Sequence, residues 1–168
     1  MYHICNTKRR LIEMFKISTK NSVKLSLVLS LLFFVVIIAG AFILPSFVNG
    51  ALEFPSEQMQ NANRFDKFLI LSLGYMVLVI AAFINAMHFK LLLKVKNNLV
   101  FTSESISLTR IISWCVILLG LVFLALGWYF LVSYFAAFAC IFLGICIRVV
   151  KNVIERATEI KTENDFTI

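Results

Sequence analysis

The uncharged stretch from Ile111 to Ile147, IISWCVILLGLVFLALGWYFLVSYFAAFACIFLGICI, decides how the rest of the sequence is interpreted. As one straight helix it would be about 55 Å long, far more than the ~30 Å hydrocarbon core of a bilayer. We therefore expect it to fold back between Gly127 and Ser133, where aromatic residues suited to a membrane interface are concentrated. This predicts transmembrane spans at 111–128 and 131–150. A re-entrant or single tilted span is the alternative.

Two more uncharged stretches of spanning length lie upstream, at 25–44 and 68–87. Pro45 is predicted to end the first span, because proline lacks the N–H that continues a helix. Thr102 is predicted to be the N-cap of a helix that runs through Arg110 into the third span. The sequence thus predicts an all-α fold, an integral membrane four-helix bundle forming one membrane domain over 1–168.

Composition supports helices in a membrane over every soluble class. Hydrophobic residues make up 61% of the chain, which is more apolar surface than a soluble fold of 168 residues can bury. Long runs of Leu, Ile, Val and Phe lack the alternation of polar and apolar residues that a β-barrel strand requires. The lipid bilayer is therefore the first expected partner.

The distribution of Lys and Arg predicts the orientation. All of these residues flank one side of the predicted spans except Arg64 and Lys67, which lie in the loop between the first two spans. Because cytoplasmic loops are enriched in Lys and Arg, both termini are predicted to be cytoplasmic in a bacterial cytoplasmic membrane. The net charge of +7 is attributed to these flanks. Direct binding of nucleic acid is not expected.

The residues that usually carry chemistry are sparse. The stretches 25–44, 68–87 and 111–147 contain no charged residue, which disfavours coupled transport but leaves a passive pore or channel subunit open. His3 and His88 are the only histidines, the four cysteines form no CxxC, and motifs of hydrolases and nucleotide-binding proteins are missing. We expect no catalysis, no cofactor, no metal site and no disulfide.

Small residues at helical spacing predict surfaces where the spans pack together, since small side chains let helix backbones approach closely. The stripes consist of Ser22, Ser26 and Ser30 in the first span, Ser113, Gly120 and Gly127 in the third, and Ala136, Cys140 and Gly144 in the fourth. Asn85 in the second span is predicted to form a hydrogen bond between helices.

The segment 151–168 is predicted to extend the fourth helix into the cytoplasm as an amphipathic helix. It ends in two apolar residues, Phe166 and Ile168, which need a docking surface either on this protein, near Phe101, or on a partner. The candidate partner-binding residues are Glu163, Asn164, Asp165, Phe166, Ile168, Phe101, Glu104 and Arg110.

Two parts of the sequence resemble the signatures of a bacterial four-span membrane family, domain of unknown function 2975. One runs from Phe101 through Glu104 to Arg110, Ile112 and Trp114; the other runs from Val153 to Ile168. The family pattern prefers Asn and Leu at the positions that Ser105 and Thr109 occupy here. These departures affect the middle signature, and the C-terminal one is the more specific.

The resemblance implies no established activity, but genes of the family often neighbour one for a small helix-turn-helix regulator. We therefore expect a membrane-embedded signalling or regulator-binding protein that sequesters or releases such a regulator. A bacteriocin or peptide immunity protein and a small permease or channel subunit are the alternatives. Assembly with copies of itself is also left open.

Overall fold

The computed structural model describes residues 19–53, 63–97, 99 and 102–165. These residues form four helices: α1, Thr19–Glu53; α2, Arg64–Lys96; α3, Ser103–Leu126; and α4, Val132–Asp165. Each helix is long and apolar enough to cross a membrane. The predicted all-α fold with four spanning helices is confirmed. At 1.5 Å per residue α1, α2 and α4 are each about 50 Å long, so their ends extend beyond the hydrocarbon core.

The reversal predicted within the long uncharged stretch is also confirmed. Helix α3 ends at Leu126, and the chain turns through Gly127–Leu131 before α4 begins at Val132. The ring of Tyr134 packs over Gly127 so closely that a Cβ there would lie 2.5 Å from Tyr134 Cε1. The alternative of one re-entrant or tilted span is therefore wrong.

Contacts between the helices show that consecutive helices run antiparallel. Hydrogen bonds between α1 and α2 pair Ser30 with Asn85 and Ala41 with Tyr75. Residue numbers therefore fall along α2 as they rise along α1, so the two helices are antiparallel. The same reversal is seen between α2 and α3 and between α3 and α4. The N-terminus of α1, the C-terminus of α2, the N-terminus of α3 and the C-terminus of α4 therefore share one end of the molecule. We call it the basic end, and the opposite one the turn end.

The principal interfaces join helices that are consecutive in the sequence, and the one between α3 and α4 is the most extensive. A closed four-helix bundle would also have an extensive interface between α1 and α4, and the described residues show none. The predicted bundle is corrected to an open arrangement, because α1 packs mainly on α2 along one narrow stripe. Most of its large apolar side chains are exposed, as expected for a surface that contacts lipid.

Pro45 does not end α1, contrary to the prediction, because the helix continues through it to Glu53. Proline supplies no N–H to the carbonyl four residues earlier, which here is that of Ala41. The hydroxyl of Tyr75 on α2 donates to this carbonyl oxygen at 3.3 Å. A group on a neighbouring helix thus satisfies the acceptor that proline leaves open, as transmembrane helices require.

We expect Tyr75→Phe to destabilise the protein by about 0.6 kcal/mol, the average for a hydrogen bond between membrane helices. The control is the same substitution in a Pro45→Ala background, where the N–H of the new alanine can bond to the Ala41 carbonyl. There the effect of Tyr75→Phe should largely vanish. Thermal unfolding in mild detergent measures all four proteins of this cycle, and an equal loss in both backgrounds would contradict the pairing.

Candidate functional site

The middle signature begins at the basic end with a capped helix. Thr102 is the N-cap of α3, as predicted, and its hydroxyl oxygen accepts from the N–H of Ser105 at 3.3 Å. Glu104 lies in the first turn, where the helix dipole favours a carboxylate, and forms an ion pair with Lys94 of α2. Glu104 therefore links the start of α3 to the end of α2.

Arg110 lies near the C-terminal part of α4. One of its guanidinium nitrogens is 3.4 Å from Glu155 Oε1, and Lys151 of α4 pairs with the other carboxylate oxygen of Glu155. Glu155 is thus shared by a cation on each of two helices. This network links the C-terminal part of α4 to the N-terminal part of α3.

A second contact between α3 and α4 lies one turn further into the membrane. The guanidinium carbon of Arg148 is 4.3 Å from the ring centroid of Trp114, within the range of a cation–π interaction. Trp114 belongs to the middle signature, and Arg148 follows the last residue of the long uncharged stretch. Both side chains suit the boundary between hydrocarbon and headgroups.

The C-terminal signature continues α4 as one unbroken helix. Its backbone is helical through Asp165, and Glu163 and Asn164 belong to the last turn. Ile154, Ala157 and Thr158 are half-buried, whereas Val153 and Ile160 are exposed. Phe101, Phe166 and Ile168, which were predicted to bind a partner, lie outside the described residues.

The two signatures therefore meet at the basic end, through Arg110 and Glu155. Both signatures lie within residues 19–168, which match the family model described as "Protein of unknown function (DUF2975)". The chain belongs to this family. The match covers all four helices, so this DUF2975 chain is a multi-pass membrane protein. No curated protein and no solved structure matches it.

Ser105 and Thr109, the residues expected to depart from the family pattern, are buried in α3. The Ser105 hydroxyl donates to the Leu99 carbonyl oxygen at 2.9 Å, and the Thr109 hydroxyl donates to the Ser105 carbonyl oxygen at 2.8 Å. Both hydroxyls are thus satisfied by backbone oxygens, as buried polar groups should be. Ser105 also fixes the chain between α2 and α3 to the start of α3.

Three of the residues predicted to pack helices lie at the interface between α3 and α4: Ser113, Gly120 and Gly144. A Cβ at Gly120 would lie 3.1 Å from the Ala137 carbonyl oxygen, and one at Gly144 would lie 3.2 Å from the Ser113 carbonyl oxygen. Ala136 and Cys140, the other predicted residues, are only half-buried. Sequence reasoning missed Ala137, which is fully buried and seven residues before Gly144.

Asn85 of α2 forms hydrogen bonds with α1. Its side-chain nitrogen donates to the Ser30 carbonyl oxygen at 3.0 Å, and its side-chain oxygen accepts from the Ser30 hydroxyl at 2.8 Å. Of the predicted serine stripe in the first span, Ser30 is the buried member. The pairing with Asn85 depends on the register between the two helices, which spacing within one helix does not provide.

The turn end carries a different arrangement. Asp66, in the first turn of α2, accepts from the backbone N–H of Asn63 at 2.8 Å and from the Tyr129 hydroxyl at 2.9 Å. Burial raises the pKa of the Tyr129 phenol, and the hydrogen bond to Asp66 raises that pKa further. This contact ties the turn after α3 to the start of α2.

Beside this contact lies an apolar groove of about 700 Å³ between α1, α2 and the turn that joins α3 to α4. Its floor includes the buried side chains of Val48, Ile70 and Leu126. At its edge the rings of Phe47 and Phe130 lie 6.2 Å apart between centroids. Among the described residues, no group of three or more His, Cys, Asp and Glu could hold a metal ion.

Glu155 offers a direct test of how α4 is held at the basic end. We expect Glu155→Ala to increase amide hydrogen exchange severalfold over residues 155–165, because Arg110 and Lys151 lose their shared carboxylate. Glu159→Ala, which removes the same charge one turn later, is the control and should have a smaller effect. Equal exchange in the two variants would show that the network does not restrain α4.

Proposed function

We propose that this DUF2975 protein is a membrane-embedded signalling protein that binds a small helix-turn-helix regulator at its basic end, without catalysis. The observation that carries the proposal is the continuation of α4 to Asp165, beyond the level where its Glu155 pairs with Arg110. The C-terminal signature thereby continues a helix that packs extensively on α3. Such a packed helix lowers the entropy cost of binding a partner.

The proposal places the basic end in the bacterial cytoplasm. Each helix has Lys or Arg at or near that end, whereas Arg64 and Lys67 are the basic residues of the turn end among the described positions. This distribution follows the tendency of cytoplasmic flanks to be rich in Lys and Arg. A DNA-binding regulator could then reach α4 from the cytoplasm.

The chemistry of the C-terminal signature suits such a partner. Its final residues combine an acidic group, Asp165, with the apolar Phe166 and Ile168. Apolar anchors supply most of the energy in a small interface, and carboxylates attract the basic surface that a DNA-binding protein presents. The regulator, rather than this chain, would contact nucleic acid.

Affinity purification in mild detergent tests the proposal. The full-length protein should recover a small DNA-binding protein, and the paired substitution Phe166→Ala with Ile168→Ala should abolish this recovery. Thr167→Ala lies between the two positions and is the matched control, which should retain the partner. Thermal stability should be equal in all three proteins, because the substitutions lie beyond the helix contacts described above.

Four results would overturn the proposal. The double variant could recover the regulator as well as the parent protein, or the parent protein could recover none. Deletion of the gene could instead change sensitivity to a peptide bacteriocin without changing transcription, which would favour the immunity alternative. A change in ion or solute flux alone would favour the channel alternative.

Orientation has its own test. A cysteine in place of Thr162 should resist a membrane-impermeant thiol reagent in intact cells, whereas a cysteine in place of Ser56 should react with it. Cys5 is the internal control for a cytoplasmic thiol. Labelling of position 162 from outside would place the C-terminal signature away from any cytoplasmic regulator.

A further inference from the structure

The groove at the turn end has the chemistry of a lipid site. It is lined by apolar side chains of α1, α2, the end of α3, the turn after α3 and the start of α4, and the hydroxyls of Tyr129 and Ser133 are the polar side-chain groups of this lining. The Tyr129 hydroxyl already donates to Asp66. A peptide backbone in the groove would therefore leave N–H and C=O groups without partners, whereas a hydrocarbon chain would leave none.

The shape of the groove is fixed by residues that have little freedom to move. Val48 and Ile70 on its floor are almost fully buried, and the Leu44 side chain of α1 fills the space over Gly74 of α2. A Cβ at Gly74 would lie 2.9 Å from Leu44 Cδ2. The groove is thus a built feature between packed helices, unlike the convex outer surface of α1.

The length of the groove and the charged residues beyond its end indicate where the acyl chain and the headgroup of a lipid would lie. From Ile70 to Leu78 its α2 wall extends about 12 Å, close to the ~15 Å half-thickness of the hydrocarbon core. Lys67 is exposed and lies seven residues before Gly74, so it is on the same face of α2 and about 10 Å nearer the turn end. Arg64 lies one further turn out. Both cations are at the depth expected of headgroup phosphates.

We propose that this groove specifically binds one phospholipid from the leaflet at the turn end, with an acyl chain along the groove and the phosphate beside Lys67. A lipid bound at such a site stays with the protein during purification, whereas lipids that only surround the outer helix surfaces exchange freely and are lost. The site lies at the opposite end from the proposed regulator surface, so the two proposals can fail independently.

Titration of the delipidated full-length protein with phosphatidylglycerol, followed by native mass spectrometry in mild detergent, tests the site. We expect one lipid to bind saturably, and Gly40→Phe to abolish binding by filling the groove. Gly50→Phe is the matched control, since Gly50 is on the same helix, does not line the groove and has open space around its Cβ position. Binding by Gly40→Phe equal to that of the control would overturn the proposal.

The headgroup is tested separately. Lys67→Gln should weaken phosphatidylglycerol binding roughly tenfold, the equivalent of one charge-assisted hydrogen bond. Diacylglycerol with the same acyl chains lacks the phosphate, so its weaker binding should be insensitive to Lys67→Gln. Equal affinity of the two lipids for the parent protein would overturn the assignment of the phosphate to Lys67.

A measurement on the unaltered protein covers the case in which Gly40→Phe does not fold. Phosphatidylglycerol with a photoreactive acyl chain should crosslink mainly to the residues that line the groove, within 40–48, 70–78 and 123–133. Even labelling of all four helices would contradict a specific site. Recovery of an apolar peptide from the groove, in place of lipid, would contradict the assignment of the occupant.

Discussion

Gly144→Leu is expected to destabilise the protein by about 1 to 3 kcal/mol, the range for an overpacked core. A Cβ at this position would lie 2.5 Å from Ile117 Cγ1 and 3.2 Å from the Ser113 carbonyl oxygen. The isoleucine side chain can move, but the carbonyl belongs to the backbone of α3. The two helices must therefore separate, and the hydrogen bond from the Ser113 hydroxyl to the Gly144 carbonyl oxygen, 2.8 Å long, is lost.

Unfolding in mild detergent measures this effect, and Leu143→Ala is the matched control. Leu143 is the neighbouring residue, but its side chain is half exposed on the outer surface of α4, so its truncation should cost less. Gly120→Leu should resemble Gly144→Leu, because a Cβ there would lie 3.2 Å from the backbone nitrogen of Ile141. Equal stability of the Gly144 and Leu143 variants would mean that Gly144 does not face α3.

The spanning helices could be predicted because a bilayer imposes a length. A charge-free stretch of about twenty residues matches the hydrocarbon thickness, and one twice as long must reverse. The end of α1 could not be predicted in this way. Proline usually ends a helix, and the Tyr75 hydroxyl that compensates for Pro45 is supplied by another helix, thirty residues further along the chain.

The register between helices limited the prediction of individual contacts. A four-residue spacing pointed to Ala136, but helices that cross at a shallow angle contact each other with a seven-residue repeat, which selects Ala137. The same limit applies at the basic end. Glu104 and Arg110 were singled out by the middle signature, but their partners, Lys94 and Glu155, follow from how α3 sits between α2 and α4.

Asn85→Ala is the second substitution with a large expected effect, about 1 to 2 kcal/mol. Asn85 is buried, and it both donates to and accepts from Ser30. Apart from the Tyr75–Ala41 hydrogen bond, the contacts described between α1 and α2 are apolar, so this pair supplies much of what holds α1 in one register. Ser30→Ala should cost less, since the Ser30 carbonyl oxygen remains available to the Asn85 side-chain nitrogen.

A double-mutant cycle over Ser30 and Asn85 isolates the pair, and amide hydrogen exchange shows where the protein loosens. We expect Asn85→Ala to increase exchange in α1 and the facing turns of α2, while α3 and α4 stay protected by their own interface. Asn152→Ala on the exposed surface of α4 is the control for loss of an asparagine. Uniform loosening of all four helices would show that the Ser30–Asn85 pair does not hold α1 in place, and a coupling energy near zero would show that the Ser30 hydroxyl contributes nothing to it.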